Sequence, residues 1–226
     1  MHLKAVERIL VIWGGALGDV LITTPMVRTL KRAYPRSHLT YIIKARVKDM
    51  LVNNPDIDEL LLYDGGILSR VARRPKYDLA INLDGRGMTN AICLLSGAKY
   101  RVGLPHFQNI RISHLNVYNV FPQFSGKVGD IIDHYLGIAR ALGLKDAIRE
   151  TTLVLTPEEQ DFADSFWEDC GLTQAARVVG LHPGGRTTAR LWAVKDYAQV
   201  GDELMADSGC RILVFQGPGE EETAKS

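Results

Sequence analysis

The sequence has only three cysteines, Cys93, Cys170 and Cys210, widely spaced, with no C-x-x-C and no histidine pair at zinc spacing. That argues against a disulfide framework or a structural zinc, and for a reducing, cytosolic setting. No window approaches eighteen uncharged apolar residues, so no stretch reads as a membrane span. The charged start, Met1 to Arg8, leads into an apolar stretch broken by glycines and Asp19 without a small-residue cleavage site, so no signal peptide is read. Charge of one sign is also missing. Lys plus Arg number 27 against 26 Asp plus Glu, a net +1 that offers no bulk electrostatic case for nucleic acid. Two familiar phosphate templates are absent too: Trp13 and Ala16 break any G-x-G-x-x-G, and no Lys-Ser/Thr follows the glycines as a P-loop requires.

What is present is ample apolar material, 46% of 226 residues, enough for one large or two modest domains. An apolar run from Ile9 to Trp13 meets a turn of Gly14, Gly15, Ala16, Leu17 and Gly18, and an amphipathic helix is expected over 20–34. Strands are expected at 38–43, 59–63, 77–83 and 99–104, with helices between them, the pattern of βαβ units and a parallel, doubly wound sheet. Residues 105–127 break the rhythm, either as an acceptor-facing flap or as an uninformative excursion. A helix over 129–142 has Asp130 as N-cap and Gly143 as C-cap.

A domain boundary falls at 149–157, giving domains of 1–150 and 151–226, with 151–155 a possible strand. Thr156-Pro157-Glu158-Glu159 opens a helix ending near Gly171. A second unit then repeats the first: a strand at 177–181, a glycine loop His182-Pro183-Gly184-Gly185-Arg186-Thr187-Thr188, a helix over 192–207, a strand at 210–215, and another glycine loop, Gln216-Gly217-Pro218-Gly219, before Glu220, Glu221 and Glu222. Two strands are few for a sheet, so the sequence is expected to be a fragment of a longer protein.

Three places carry chemistry. Asp19, where the first loop becomes a helix, is either an N-terminal cap or a reactive carboxylate at the ligand-binding edge of an open α/β sheet. The second loop combines glycines for close backbone approach with Arg186, Arg190, Thr187 and Thr188 at a helix start, a set that suits a diphosphate or serves as a solvated turn. The acids after Gly219 either accept two hydrogen bonds from a ribose diol or complement a helix terminus.

Gly18-Asp19-Val20-Leu21 with Thr23-Thr24-Pro25, then Leu181-His182-Pro183-Gly184-Gly185 with Trp192 and Tyr197, then Gly217-Pro218-Gly219-Glu220-Glu221, resemble in order the motifs of glycosyltransferase family nine, the lipopolysaccharide heptosyltransferases. Arg190 stands where that family commonly has Lys, and Ala193 where it has Pro. A further family motif, Asp-Ser/Thr-Gly followed by His, would fall beyond Ser226. The resemblance implies a GT-B-type α/β fold, two Rossmann-like doubly wound domains with the second incomplete. It implies an inverting transfer of heptose from an ADP-heptose-like donor to the lipopolysaccharide core.

By the same resemblance Asp19 is the general base and Gly15 and Gly18 belong to the acceptor loop. Gly184, Gly185, Arg186, Thr187, Thr188 and Arg190 hold the donor diphosphate, and Glu221, or Glu220 beside it, holds the ribose. Neither a metal nor a cofactor is expected. Arg46, Lys48, Arg86, Arg101 and Arg111 are candidates to receive the anionic acceptor. The protein would be cytoplasmic, drawn peripherally to the inner face of the inner membrane. A nucleotide-sugar epimerase or hydrolase, or a non-catalytic sugar-nucleotide binder, fits the same architecture.

Overall fold

The computed structural model describes residues 3, 5–103, 117–122, 130–175, 177–185, 191–206 and 210–220. The chain divides into two compact units, Met1–Val154 and Leu155–Ser226.

Unit 1 is built on strands β1 (Arg8–Ile12), β2 (His38–Ile43), β3 (Glu59–Leu62), β4 (Leu79–Asn82) and β5 (Tyr100–Gly103). All pairings are parallel, in the order β3-β2-β1-β4-β5, so the winding reverses between β1 and β4. Helices α1 (Leu17–Leu21), α2 (Thr24–Ala33), α3 (Ile67–Ala72), α4 (Gly87–Leu95) and α5 (Ile131–Ala141) complete the unit.

Side chains alternate between the faces of a strand. Ile9, Val11, Leu39, Tyr41, Leu79 and Ile81 therefore pack with Val20, Met26, Val27, Leu30, Leu136 and Ile138 on one face. Leu10, Ile12, Ile42 and Ala80 pack with Ile67, Val71, Ile92 and Cys93 on the other. A sheet covered on both faces needs continuous apolar strands, and Ile9–Ile12 have no exposure at all. Each such side chain contributes roughly 1.5–3 kcal/mol by leaving water.

The single helix expected over 20–34 is two helices. Thr23 and Thr24 turn their hydroxyls onto the carbonyls of Val20 and Leu21, both at 2.7 Å, and Pro25 has no N–H to continue the ladder. The possible strand at 151–155 does not form. The chain before and at its start is bound to α2 instead, with the Ile148 N–H donating to Thr29 Oγ1 at 3.0 Å and the Thr152 N–H to Thr24 Oγ1 at 2.9 Å. Within 105–127 the described part, 117–122, lies beside β5, where Val120 bridges Val102.

Unit 2 opens on α6 (Pro157–Asp169), whose start is a reciprocal cap: the Glu159 N–H donates to Thr156 Oγ1 at 3.1 Å and the Thr156 N–H to Glu159 Oε2 at 2.7 Å. Gly171, at φ +63°, ends it. Strands β6 (Arg177–Leu181) and β7 (Cys210–Val214) pair in parallel, with α7 (Val194–Ala206) between them in sequence. Among the described residues, no helix is long and apolar enough to cross a membrane.

Glu59 is clamped by both terminal nitrogens of Arg74 at 2.6 Å, which holds its carboxyl below the ordinary 4.5. The stability from this pair is therefore present above pH 4.5 and lost as the pH falls through the depressed value. The pair is partly exposed, so Glu59→Gln should cost about 0.5–1 kcal/mol at pH 7. In urea titrations the gap from wild type should close toward pH 3.

Candidate functional site

In unit 1 the carboxyl ends of β1 and β4 meet at the reversal of winding, where open α/β sheets receive ligands. The two strand ends are aligned. The Trp13 N–H donates to Ile42 O at 3.2 Å and the Leu83 N–H to Ile12 O at 3.0 Å, so both following loops leave from one edge.

The β1 loop rises over Trp13. A side chain at Gly15 would put its first carbon 2.4 Å from the indole, so only glycine fits there. Lys44, at the end of β2, lies against Gly14, where an added carbon would meet its Cε at 3.0 Å. Helix α1 starts at Leu17, so Gly18, expected in the loop, belongs to the first helical turn.

Asp19 is exposed in that same turn, its Oδ2 accepting the Ala16 N–H at 3.2 Å. This bond uses one of about four lone-pair positions on the carboxylate, so capping and reactivity coexist. Tyr135, delivered from α5, packs edge-on to Trp13 at 6.2 Å between ring centres. Burial, and then the nearby charge of Asp19, push the Tyr135 phenol up to about 12, so it stays protonated beside the carboxylate.

The β4 loop is held from beneath. The buried Asn82 side-chain nitrogen lies within hydrogen-bond distance of Thr89 Oγ1 (3.2 Å), Asn90 Oδ1 (3.0 Å) and Tyr118 Oη (2.8 Å), three acceptors among which its two protons are shared. Its carbonyl accepts the N–H groups of Asp84 and Gly85 at 3.1 and 3.2 Å. The Tyr118 hydroxyl donates to Asn90 Oδ1 at 2.6 Å. This network presents Asp84 and Arg86, paired at 2.9 Å, at the edge beside the Asp19 loop.

The proposed acceptor cations sort differently. Arg46 and Lys48 are exposed on the 3-10 turn Ala45–Met50, just past β2. Arg101 is occupied structurally, its guanidinium donating to Val117 O at 2.6 Å and Ala98 O at 2.8 Å. Arg111 lies outside the described residues. The expectation of no metal takes the sequence to lack a D-x-D, but Asp56-Ile57-Asp58 is one; it sits at the start of β3, on the opposite edge from the Asp19 loop, where Asp58 accepts from the Leu39 N–H (2.7 Å) and Lys31 (2.6 Å).

In unit 2 the loops after β6 and β7 lie together. Glu220 turns back at Gly219, which has φ +85°, and its Oε2 accepts the Gly217 N–H at 2.6 Å. The same oxygen is 3.1 Å from His182 Nε2. A side chain at Gly184 would begin 2.2 Å from this carboxylate, and one at Gly185 would begin 2.9 Å from Leu191. The room at Gly184 is thus taken by Glu220. Trp192 packs edge-on to Tyr197 at 5.3 Å. Arg186, Thr187, Thr188, Arg190 and Glu221 lie outside the described residues.

Sequence reasoning missed Lys44, Asn82, Tyr135 and the His182–Glu220 pair. An Asn closing an apolar strand and a Lys following one were visible signals for two of them. The pairing across 38 residues had none.

Asn82→Ala would strand the partners of a buried amide, each at about 1–3 kcal/mol. Urea unfolding of unit 1 should show a loss of about 3 kcal/mol, well beyond a surface substitution.

No family model matches the chain. It is similar over its whole length to a crystal structure of a glycosyl transferase family 9 protein from Veillonella parvula, at 26% identity and a TM-score of 0.84, covering 67% of that chain. It is similar in fold to the Escherichia coli ADP-heptose lipopolysaccharide heptosyltransferase II, at 19% identity and a TM-score of 0.74, covering 96% of this chain and 66% of that one. By sequence it is 22% identical to lipopolysaccharide heptosyltransferase 3 of Escherichia coli over 219 residues, 92% of this chain. The chain spans 63% of that relative's length. The resemblance carried by the motifs thus extends across the chain, and the fold is of the GT-B α/β type.

Proposed function

We propose that this relative of the family-nine glycosyltransferases belongs to an inverting glycosyltransferase that moves a heptose from an ADP-heptose-like donor to the lipopolysaccharide core. The observation that supports it most is Asp19: an exposed carboxylate in the first turn of α1, at the reversal of a doubly wound sheet, within a likeness that runs the length of the chain.

In this reading unit 1 receives the acceptor and unit 2 the nucleotide sugar. An Asp19 oxygen takes the proton of the acceptor hydroxyl as that oxygen bonds to the anomeric carbon. The bond from this carbon to the diphosphate oxygen breaks on the opposite side, so the configuration inverts. Base catalysis of this kind contributes about 10²–10⁴-fold. Arg186, Arg190 and the glycine-loop amides stabilise the charge gathering on the departing diphosphate, replacing a metal. Thr187 and Thr188 add hydroxyl donors, and Glu221 or Glu220 binds the ribose.

Lys44, Arg46, Lys48 and Arg86 form the cationic edge that meets phosphorylated acceptor sugars. Arg101 is withdrawn from that role by its backbone bonds. Such an acceptor holds the protein at the inner face of the inner membrane without an inserted helix.

Calorimetric titration with ADP, UDP and GDP tests the donor side. Micromolar uptake of ADP alone is expected, and equal affinity for all three contradicts the assignment. Asp19→Asn should lower transfer by about 10²–10⁴-fold while leaving ADP affinity within a factor of about two. Wild-type turnover in that variant would remove Asp19 from the base role.

A further inference from the structure

Unit 2 holds a contact to which the proposed reaction assigns no part, that of His182 with Glu220. Its two loops, one after each parallel strand, are joined by a single carboxylate. Glu220 Oε2 receives the Gly217 N–H at 2.6 Å from its own turn and faces His182 Nε2 at 3.1 Å from the other loop. The turn is closed by the Glu220 N–H donating to Gly217 O at 3.1 Å, which aims the side chain back toward β6. Gly184 leaves the space it enters, since any β-carbon there would lie 2.2 Å from the carboxyl carbon.

We infer that His182 is a positioning residue of the nucleotide pocket, acting through Glu220: the imidazole holds the carboxylate across both glycine loops and so fixes the two loops against each other. This rests on the reading of unit 2 as the nucleotide-sugar side.

The chemistry suits the role. A carboxylate has about four acceptor positions, and a charge-assisted bond from a ring N–H is stronger and more directional than a neutral one. Gly217 and His182 both bind one oxygen of Glu220, which fixes the plane and direction of the carboxylate. Without His182 the carboxylate loses its side-chain partner in the 182–185 loop and keeps only the backbone contact from Gly185 there, so the tie to the 217–220 turn is loosened. Hydrogen bonds from the Gly217 N–H and then from His182 also keep the Glu220 carboxyl below its usual range, so it stays an acceptor. Half of the His182 side chain is exposed, so the contact is not a by-product of core packing.

The test reads amide hydrogen exchange at Gly217 together with ADP affinity in wild type, His182→Ala, Glu220→Gln, the double variant and His182→Gln. His182→Ala and Glu220→Gln should each speed Gly217 exchange and weaken ADP by about tenfold. The double variant should be no weaker than the worse single one, because both act through one contact. His182→Gln places an amide N–H near the Nε2 position and should restore both readouts to within about threefold. Gly217 exchange at the wild-type rate in His182→Ala, or losses that multiply in the double variant, would overturn the inference. If wild type takes up no ADP, the nucleotide reading fails, and the exchange rates alone still decide whether His182 acts through Glu220.

Discussion

The rest of unit 1 depends on β1 being hydrogen-bonded on both sides and dry on both faces. Ile9 to Ile12 pair with β2 on one side and β4 on the other, with no exposure. A one-residue slip of a strand so placed would exchange the side chains held by its two layers, each close-packed around the ones it has. Its end is therefore a fixed point. Trp13 fills the space beneath the departing loop, Gly15 passes over the indole because no side chain fits, and Asp19 emerges four residues later at a defined place. The same constraint acts on β4, where Asn82 replaces apolar packing with hydrogen bonds at the last strand position and fixes the neighbouring loop.

Unit 2 solves a similar problem with less material. Two parallel strands deliver two glycine loops to one edge, and a long-range contact between them does what buried strand pairing does in unit 1. The loops are glycine-rich for different reasons. Gly184 makes room for Glu220, while Gly219 provides the left-handed turn that brings Glu220 there. Neither glycine needs a ligand to explain it.

The alternation of strands and helices was legible because parallel strands buried on both faces are plain apolar runs. The 38–43 and 177–181 strands have the bounds the pattern indicates. The α1–α2 break was hidden because apolar spacing runs on through Ile22, while the cause lies in two threonine hydroxyls and Pro25. The stretch 151–155 is β-branched and apolar like a strand, but its Thr152 N–H is taken by Thr24 of α2. Asp19 was legible from its loop and motif; Tyr135, 116 residues later, was not, because nothing local in α5 shows which residue reaches β1. Arg101 reads as a free cation in sequence and is a backbone staple in the fold. The basic and hydroxyl residues of the second loop lie outside the described residues, so their part rests on the motif.

The measurement that bears most directly on this account is an assay of purified protein with ADP-heptose and a heptose-deficient lipopolysaccharide core, with the anomeric configuration of the product read by NMR. The account predicts acceptor-dependent release of ADP and a product of inverted configuration. Retained configuration, or conversion of the nucleotide sugar without acceptor as an epimerase or hydrolase would give, would contradict it.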